Sequence, residues 1–82
     1  MPQVKFHHRC GSYAETCEEF LGLALDACGY SGYDITKLPD YTDESHYVFE
    51  VDLHGSYMGE GDKARILEEL RAADFEMVVI ET

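Results

Sequence analysis

Apolar and polar positions change their period repeatedly along the chain, and each change marks an element. Residues 3–9 alternate, with Val4, Phe6 and His8 on one side and Lys5, His7 and Arg9 on the other, which predicts a half-buried strand. Ser12-Tyr13-Ala14-Glu15 then reads as a capping box, in which hydroxyl and carboxylate satisfy each other's free amides at a helix start. Cys17, Phe20, Leu21, Ala24 and Cys28 follow at helical spacing, and Gly29 supplies a left-handed stop, so the helix is expected over 13–28. Residues 33–38, Tyr-Asp-Ile-Thr-Lys-Leu, read as a short strand ended by Pro39, with a plain loop over 30–45 as the alternative. A polar turn, Asp40 to Ser45, leads into a second alternating stretch from His46 to His54. There Tyr47, Phe49, Val51 and Leu53 face in while Glu50, Asp52 and His54 face out. Gly55, Gly59 and Gly61 mark a loop, and Asp62 is placed to cap a second helix whose buried side is Ile66, Leu67, Leu70 and Ala73. Residues 76–81, with the apolar run Met77 to Ile80, close the chain as a strand.

The resulting order, β-α-β-β-α-β, predicts one α+β domain over residues 1–82. It is the ferredoxin-like arrangement of a four-stranded antiparallel sheet with two helices on one face. Its first and third strands are central neighbours, so Lys5 and Arg9 are expected to face Glu50 and Asp52 across the open face. A chain of 82 residues supports one modest core. A site built at a dimer interface is therefore more plausible than an internal pocket.

The stretch Tyr47-Val-Phe-Glu-Val-Asp-Leu-His-Gly55, followed by Ala64-Arg-Ile-Leu-Glu-Glu-Leu70 and a closing apolar strand, resembles the second half of an ACT regulatory domain. Tyr33 to Lys37 is similar to that family's second strand, and Gly11 sits where its first loop places a glycine. The resemblance implies the same β-α-β-β-α-β fold, side-by-side pairing of two copies, and an amino acid bound beside the Gly11 loop. Here that loop reads Arg9-Cys10-Gly11-Ser12, without the proline the family usually has before its glycine.

Charge alters the picture most. Twelve acidic residues and one basic residue, Lys37, lie between Tyr13 and Asp62, so that stretch carries the whole formal charge of −11. Segregated acid repels nucleic acid and anionic membranes and attracts basic surfaces. On the first helix Glu15, Glu19, Gly22 and Asp26 fall on one line opposite the core stripe, with Glu18 alongside. Carboxylates on adjacent turns are about 5–6 Å apart, on the order of the step between phosphates along a nucleic-acid strand. The second helix is balanced by Lys63, Arg65 and Arg71. Asp34, and the turn Asp40, Tyr41, Asp43 and Glu44, extend the acid of the first helix. Tyr13, Tyr30, Tyr33 and Tyr41 flank the same region, and tyrosines with a charged rim suit a protein interface. Leu23 lies off the core stripe, as part of a self-association surface or as an ordinary exposed leucine.

Other chemistries find less support. His7, His8 and Cys10 cluster, but adjacent strand residues point to opposite faces, so the two histidines do not converge on one metal ion. No oxyanion hole or orienting third residue accompanies Cys10, so an enzyme is not expected. Glu60 and Asp62 put negative charge where Gly59 to Lys63 would otherwise suggest a phosphate loop. An RNA-binding sheet face needs outward aromatics and a basic surround; here Tyr47 and Phe49 share the core phase and Glu50 and Asp52 face out. Three cysteines, Cys10, Cys17 and Cys28, suit a reducing compartment. No apolar run approaches the about 18 residues of a membrane span, and Met1 to Lys5 lacks the start of a signal peptide. A cytoplasmic location is expected. The combined expectation is a non-enzymatic, cofactor-free binding protein whose acidic surface, Glu15, Glu18, Glu19, Asp26, Asp34, Asp40, Tyr41, Asp43 and Glu44, occupies a basic nucleic-acid-binding partner. Phage-encoded anti-CRISPR inhibitors and other DNA mimics are the functional analogy. The alternative is an ACT-like homodimer sensing a small ligand.

Overall fold

The computed structural model describes residues 2–7, 14–38, 46–75 and 77–81. Expectations placed on His8, Arg9, Cys10, Gly11, Ser12, Tyr13 and on Asp40, Tyr41, Asp43 and Glu44 lie outside them. The elements run β1 (Gln3–His7), α1 (Ala14–Ala27), β2 (Asp34–Leu38), β3 (His46–Asp52), α2 (Glu60–Ala72) and β4 (Val78–Glu81). They build one sheet in the order β2-β3-β1-β4, every neighbouring pair antiparallel. This is the ferredoxin-like α+β architecture that the alternation predicts, and residues 34–38 are a strand rather than a loop.

Strand phase decides which side is dry. Val4 and Phe6 of β1 and Phe49 and Val51 of β3 are fully or almost fully buried. They meet Cys17, Leu21, Ala24 and Leu25 of α1 and Ile66 and Leu70 of α2 in one cluster. Both helices therefore cover the same face. The four phenylalanines chain across it: Phe49 to Phe6 at 5.6 Å, Phe6 to Phe75 at 5.4 Å and Phe75 to Phe20 at 5.4 Å between ring centres. The first two contacts are edge-to-face, the arrangement that the ring quadrupoles favour. Leu25, Met58 and Phe75 belong to this core, although helical and strand periodicity alone did not single them out.

Both helices end the same way by different residues. After α1, Gly29 sits at φ 89°. Its amide reaches the Asp26 carbonyl at 3.0 Å, and the Tyr30 amide reaches that of Leu25 at 3.2 Å. After α2, Asp74 takes the left-handed position at φ 69°. The Asp74 amide bonds the Arg71 carbonyl at 3.0 Å and the Phe75 amide that of Leu70 at 2.9 Å. This paired pattern is the Schellman stop, with Leu70 and Phe75 supplying its apolar contact.

Three details correct the sequence expectation. The second helix begins at Glu60, with Gly59 as its cap residue and no side-chain cap bond; Asp62 is in the first turn, where its carboxylate serves Tyr30. β3 ends at Asp52 rather than His54, because His54 (φ 50°) and Gly55 (φ 91°) turn the chain and the Ser56 amide bonds the Leu53 carbonyl at 3.1 Å. Lys5 pairs with Glu81 of β4 at 3.1 Å rather than with Glu50 or Asp52. β1 has neighbours on both sides, with Val48 and Val79 opposite Lys5, and the ammonium takes the carboxylate on the β4 side.

Candidate functional site

α1 overhangs the β2 side of the sheet, and between them lies an open groove of about 460 Å³. Its helix wall is Glu15, Glu18, Glu19, Gly22, Leu23 and Asp26; its strand wall is Tyr33, Asp34 and Ile35. The row of carboxylates that helical spacing places on one line is thus one wall of a groove. All five acidic site residues within the described part of the chain, Glu15, Glu18, Glu19, Asp26 and Asp34, line it together and are exposed. Among the described residues no lysine or arginine lines it. Lys37, the one cation of the acidic stretch, shares strand phase with Ile35, yet its ammonium stands 5.9 Å over the Tyr47 ring. That contact engages the ammonium with the face of the Tyr47 ring.

Tyr33 fixes the groove's shape. Its hydroxyl oxygen is 2.9 Å from the Gly22 carbonyl oxygen and 2.8 Å from Asp26 Oδ1, two acceptors for its one proton. A Cβ at Gly22 would stand in ordinary contact with this pair, 3.4 Å from the Tyr33 hydroxyl and 3.9 Å from Ile35 Cδ1. Burial pushes the Tyr33 phenol's pKa up, and the hydrogen bond to Asp26 and that residue's charge push the same way. Tyr33 is therefore a donor, not an anion, throughout the neutral range. The floor is apolar: Ile35 is half-buried, while Leu23 is 55% exposed.

Tyr30, expected beside the acidic row, is elsewhere. The left-handed Gly29 swings it toward α2, where its hydroxyl donates to Asp62 Oδ2 at 2.6 Å and lies 3.2 Å from the Tyr57 carbonyl oxygen. Burial, the Asp62 bond and the Asp62 charge hold its pKa up at about 12. Cys28 is half-buried beside the same turn, and burial, then the charge of Asp62, raises its thiol. Tyr30 is thus a tie between the end of α1 and the start of α2.

A second polar group, not singled out by sequence reasoning, borders the groove at Asp34. Asp34 and Asp52 are opposite each other on β2 and β3. His54 lies between them: Nε2 is 2.8 Å from Asp34 Oδ2, Nδ1 is 3.9 Å from Asp52 Oδ2, and the His54 amide donates to Asp52 Oδ1 at 2.9 Å. Only the strand register brings residues twenty apart in sequence together here. Among the described residues no group of three His, Cys, Asp or Glu side chains is arranged to hold a metal ion. Among them, too, no helix is long and apolar enough to cross a membrane. Comparison with family models, curated proteins and solved structures gives no match.

Proposed function

We propose that this chain is a non-enzymatic acidic binding protein that occupies a basic, nucleic-acid-binding surface of a partner. The observation that carries the reading is the gathering of Glu15, Glu18, Glu19, Asp26 and Asp34 in one groove with no lining cation among the described residues. Exposed carboxylates spaced by helical turns compete with phosphates for arginine and lysine side chains. The mechanism is competition: while the acidic row fills those cationic sites, the partner is unable to hold nucleic acid. The class of function is that of the small acidic inhibitors, including anti-CRISPR proteins, that act as DNA mimics.

The test is affinity capture with the intact chain at low and high salt. Electrostatic association is expected to hold at about 50 mM salt and to release by about 0.5 M, where screening reaches only a few ångströms. Replacing Glu15, Glu19 and Asp26 together by lysine turns three attractions into repulsions and is expected to weaken capture by about a hundredfold or more. The fold should survive, because all three side chains are exposed and Tyr33 keeps the Gly22 carbonyl as acceptor. Capture of a nucleic-acid-binding protein that neither salt nor the triple substitution diminishes would rule the mechanism out.

A further inference from the structure

The groove lies beside a strand edge. β2 is an outer strand of the sheet, and among the described residues nothing pairs with its outer side. An unpaired edge offers a row of backbone donors and acceptors to any extended segment of suitable chemistry. Here that edge has an acidic helix face above it and an apolar floor at Leu23 and Ile35. We infer that β2 accepts an extended, arginine- or lysine-bearing segment of a partner protein as a fifth strand, whose cationic side chains enter the α1–β2 groove. The inference deepens the proposed function by naming the kind of segment the acidic surface takes.

Geometry and charge choose this occupant. Side chains of an added strand alternate between the two faces of the sheet. Those on the helix side would stand next to Tyr33, Ile35 and Lys37, whose ammonium lies over the Tyr47 ring, and beneath Glu15, Glu18, Glu19 and Asp26. An arginine there lays its aliphatic stem on the apolar floor and its guanidinium among the carboxylates. Those on the other side would stand next to Asp34, Thr36 and Leu38, where β-branched or polar residues fit. Glu15 to Asp26 spans about 16 Å of helix at 1.5 Å per residue, and a five-residue strand spans about the same. A second copy of this chain is a poor occupant. Pairing two β2 edges would bring two acidic helices together, with a charge of −11 on each copy.

The probe is a blocked hexapeptide alternating arginine with valine, titrated into the intact chain at low salt and followed by amide NMR shifts and hydrogen exchange. The expected result is perturbation along β2 and α1, with slowed exchange of β2 amides. The same peptide N-methylated at alternate amides keeps its charge but loses the edge hydrogen bonds. It should bind about tenfold more weakly, the effect of losing one or two net hydrogen bonds. Equal binding of the methylated peptide, perturbation confined to β4, or no binding of the parent peptide would each overturn the edge inference. The two readings separate cleanly. Salt-sensitive capture of a nucleic-acid-binding protein with indifference to N-methylation keeps the acidic mechanism and discards the edge. Edge binding of the peptide with no such capture does the reverse.

Discussion

Asp74 holds a backbone conformation that L-residues other than asparagine and aspartate seldom adopt, at φ 69°, and among the described residues no hydrogen bond of its side chain offsets the cost. The left-handed state costs a non-glycine residue about 1 kcal/mol, and Gly29 at the matching position of α1 avoids that cost. Asp74→Gly is therefore expected to raise unfolding free energy by about 0.5–1 kcal/mol in urea titrations; a loss would mean that the Asp74 carboxylate has a role the stop does not require. The two stops also show what can be read at this scale. Glycine after a helical stripe announces a left-handed turn, so the end of α1 was legible. Aspartate is at home in caps, turns and solvent alike, so the end of α2 was not. Tyr33 was legible only as an aromatic near acid; that its hydroxyl would reach Gly22 and Asp26 depends on how the strand meets the helix.

At the scale of elements, the alternation of β1 and β3 was sufficient to fix their inner faces, since a one-residue slip would turn Phe6 and Phe49 outward, while their adjacency follows from the β-α-β-β-α-β order. What alternation leaves open is which neighbour a side chain chooses. Lys5 and Glu81 meet because β1 is central, and a period-two pattern carries no information about the far side of a strand. Helix-to-helix ties are equally hidden, and Tyr30–Asp62 is the clearest case. That tie has a measurable signature. Tyr30 titrates near pH 10 when unfolded and at about 12 when folded, and Tyr33 and Cys28 are shifted in the same direction. A raised folded pKa in an acid means that the unfolded state loses its proton first. The Tyr30 stabilisation is thus fully present below pH 10 and is lost as pH climbs from 10 toward 12. Urea unfolding across this window should show falling stability, and Tyr30→Phe should flatten that fall while lowering stability at neutral pH by about 1 kcal/mol, the net worth of the lost hydrogen bond. An alkaline slope identical in the variant would assign the titration to other groups.

Over the whole molecule, a charge of −11 on 82 residues acts on the fold and on its partners with opposite sign. Carboxylates crowded along α1 and at the β2–β3 end repel one another, and that repulsion works against the compact state. The ion pairs that salt would weaken are few and at least partly wet among the described residues: Lys5–Glu81 has side chains 38% and 55% exposed, and Lys63–Glu60 has 17% and 89%. Such pairs contribute about 0–1 kcal/mol each, less than the relief expected from screening so much like charge. Added salt should therefore stabilise the free protein while it dissolves the complex. Thermal unfolding between about 20 mM and 0.5 M sodium chloride is expected to shift upward by about 4–8 °C, the equivalent of about 1 kcal/mol for a domain of this size. The Glu15, Glu19 and Asp26 lysine variant, which roughly halves the net charge, should begin at a higher midpoint and respond less to salt. A midpoint that falls with salt in the unsubstituted chain would show that the ion pairs outweigh the repulsion. The acidic row would then cost the fold little, and no gain in partner binding would be needed to account for its presence in so small a domain.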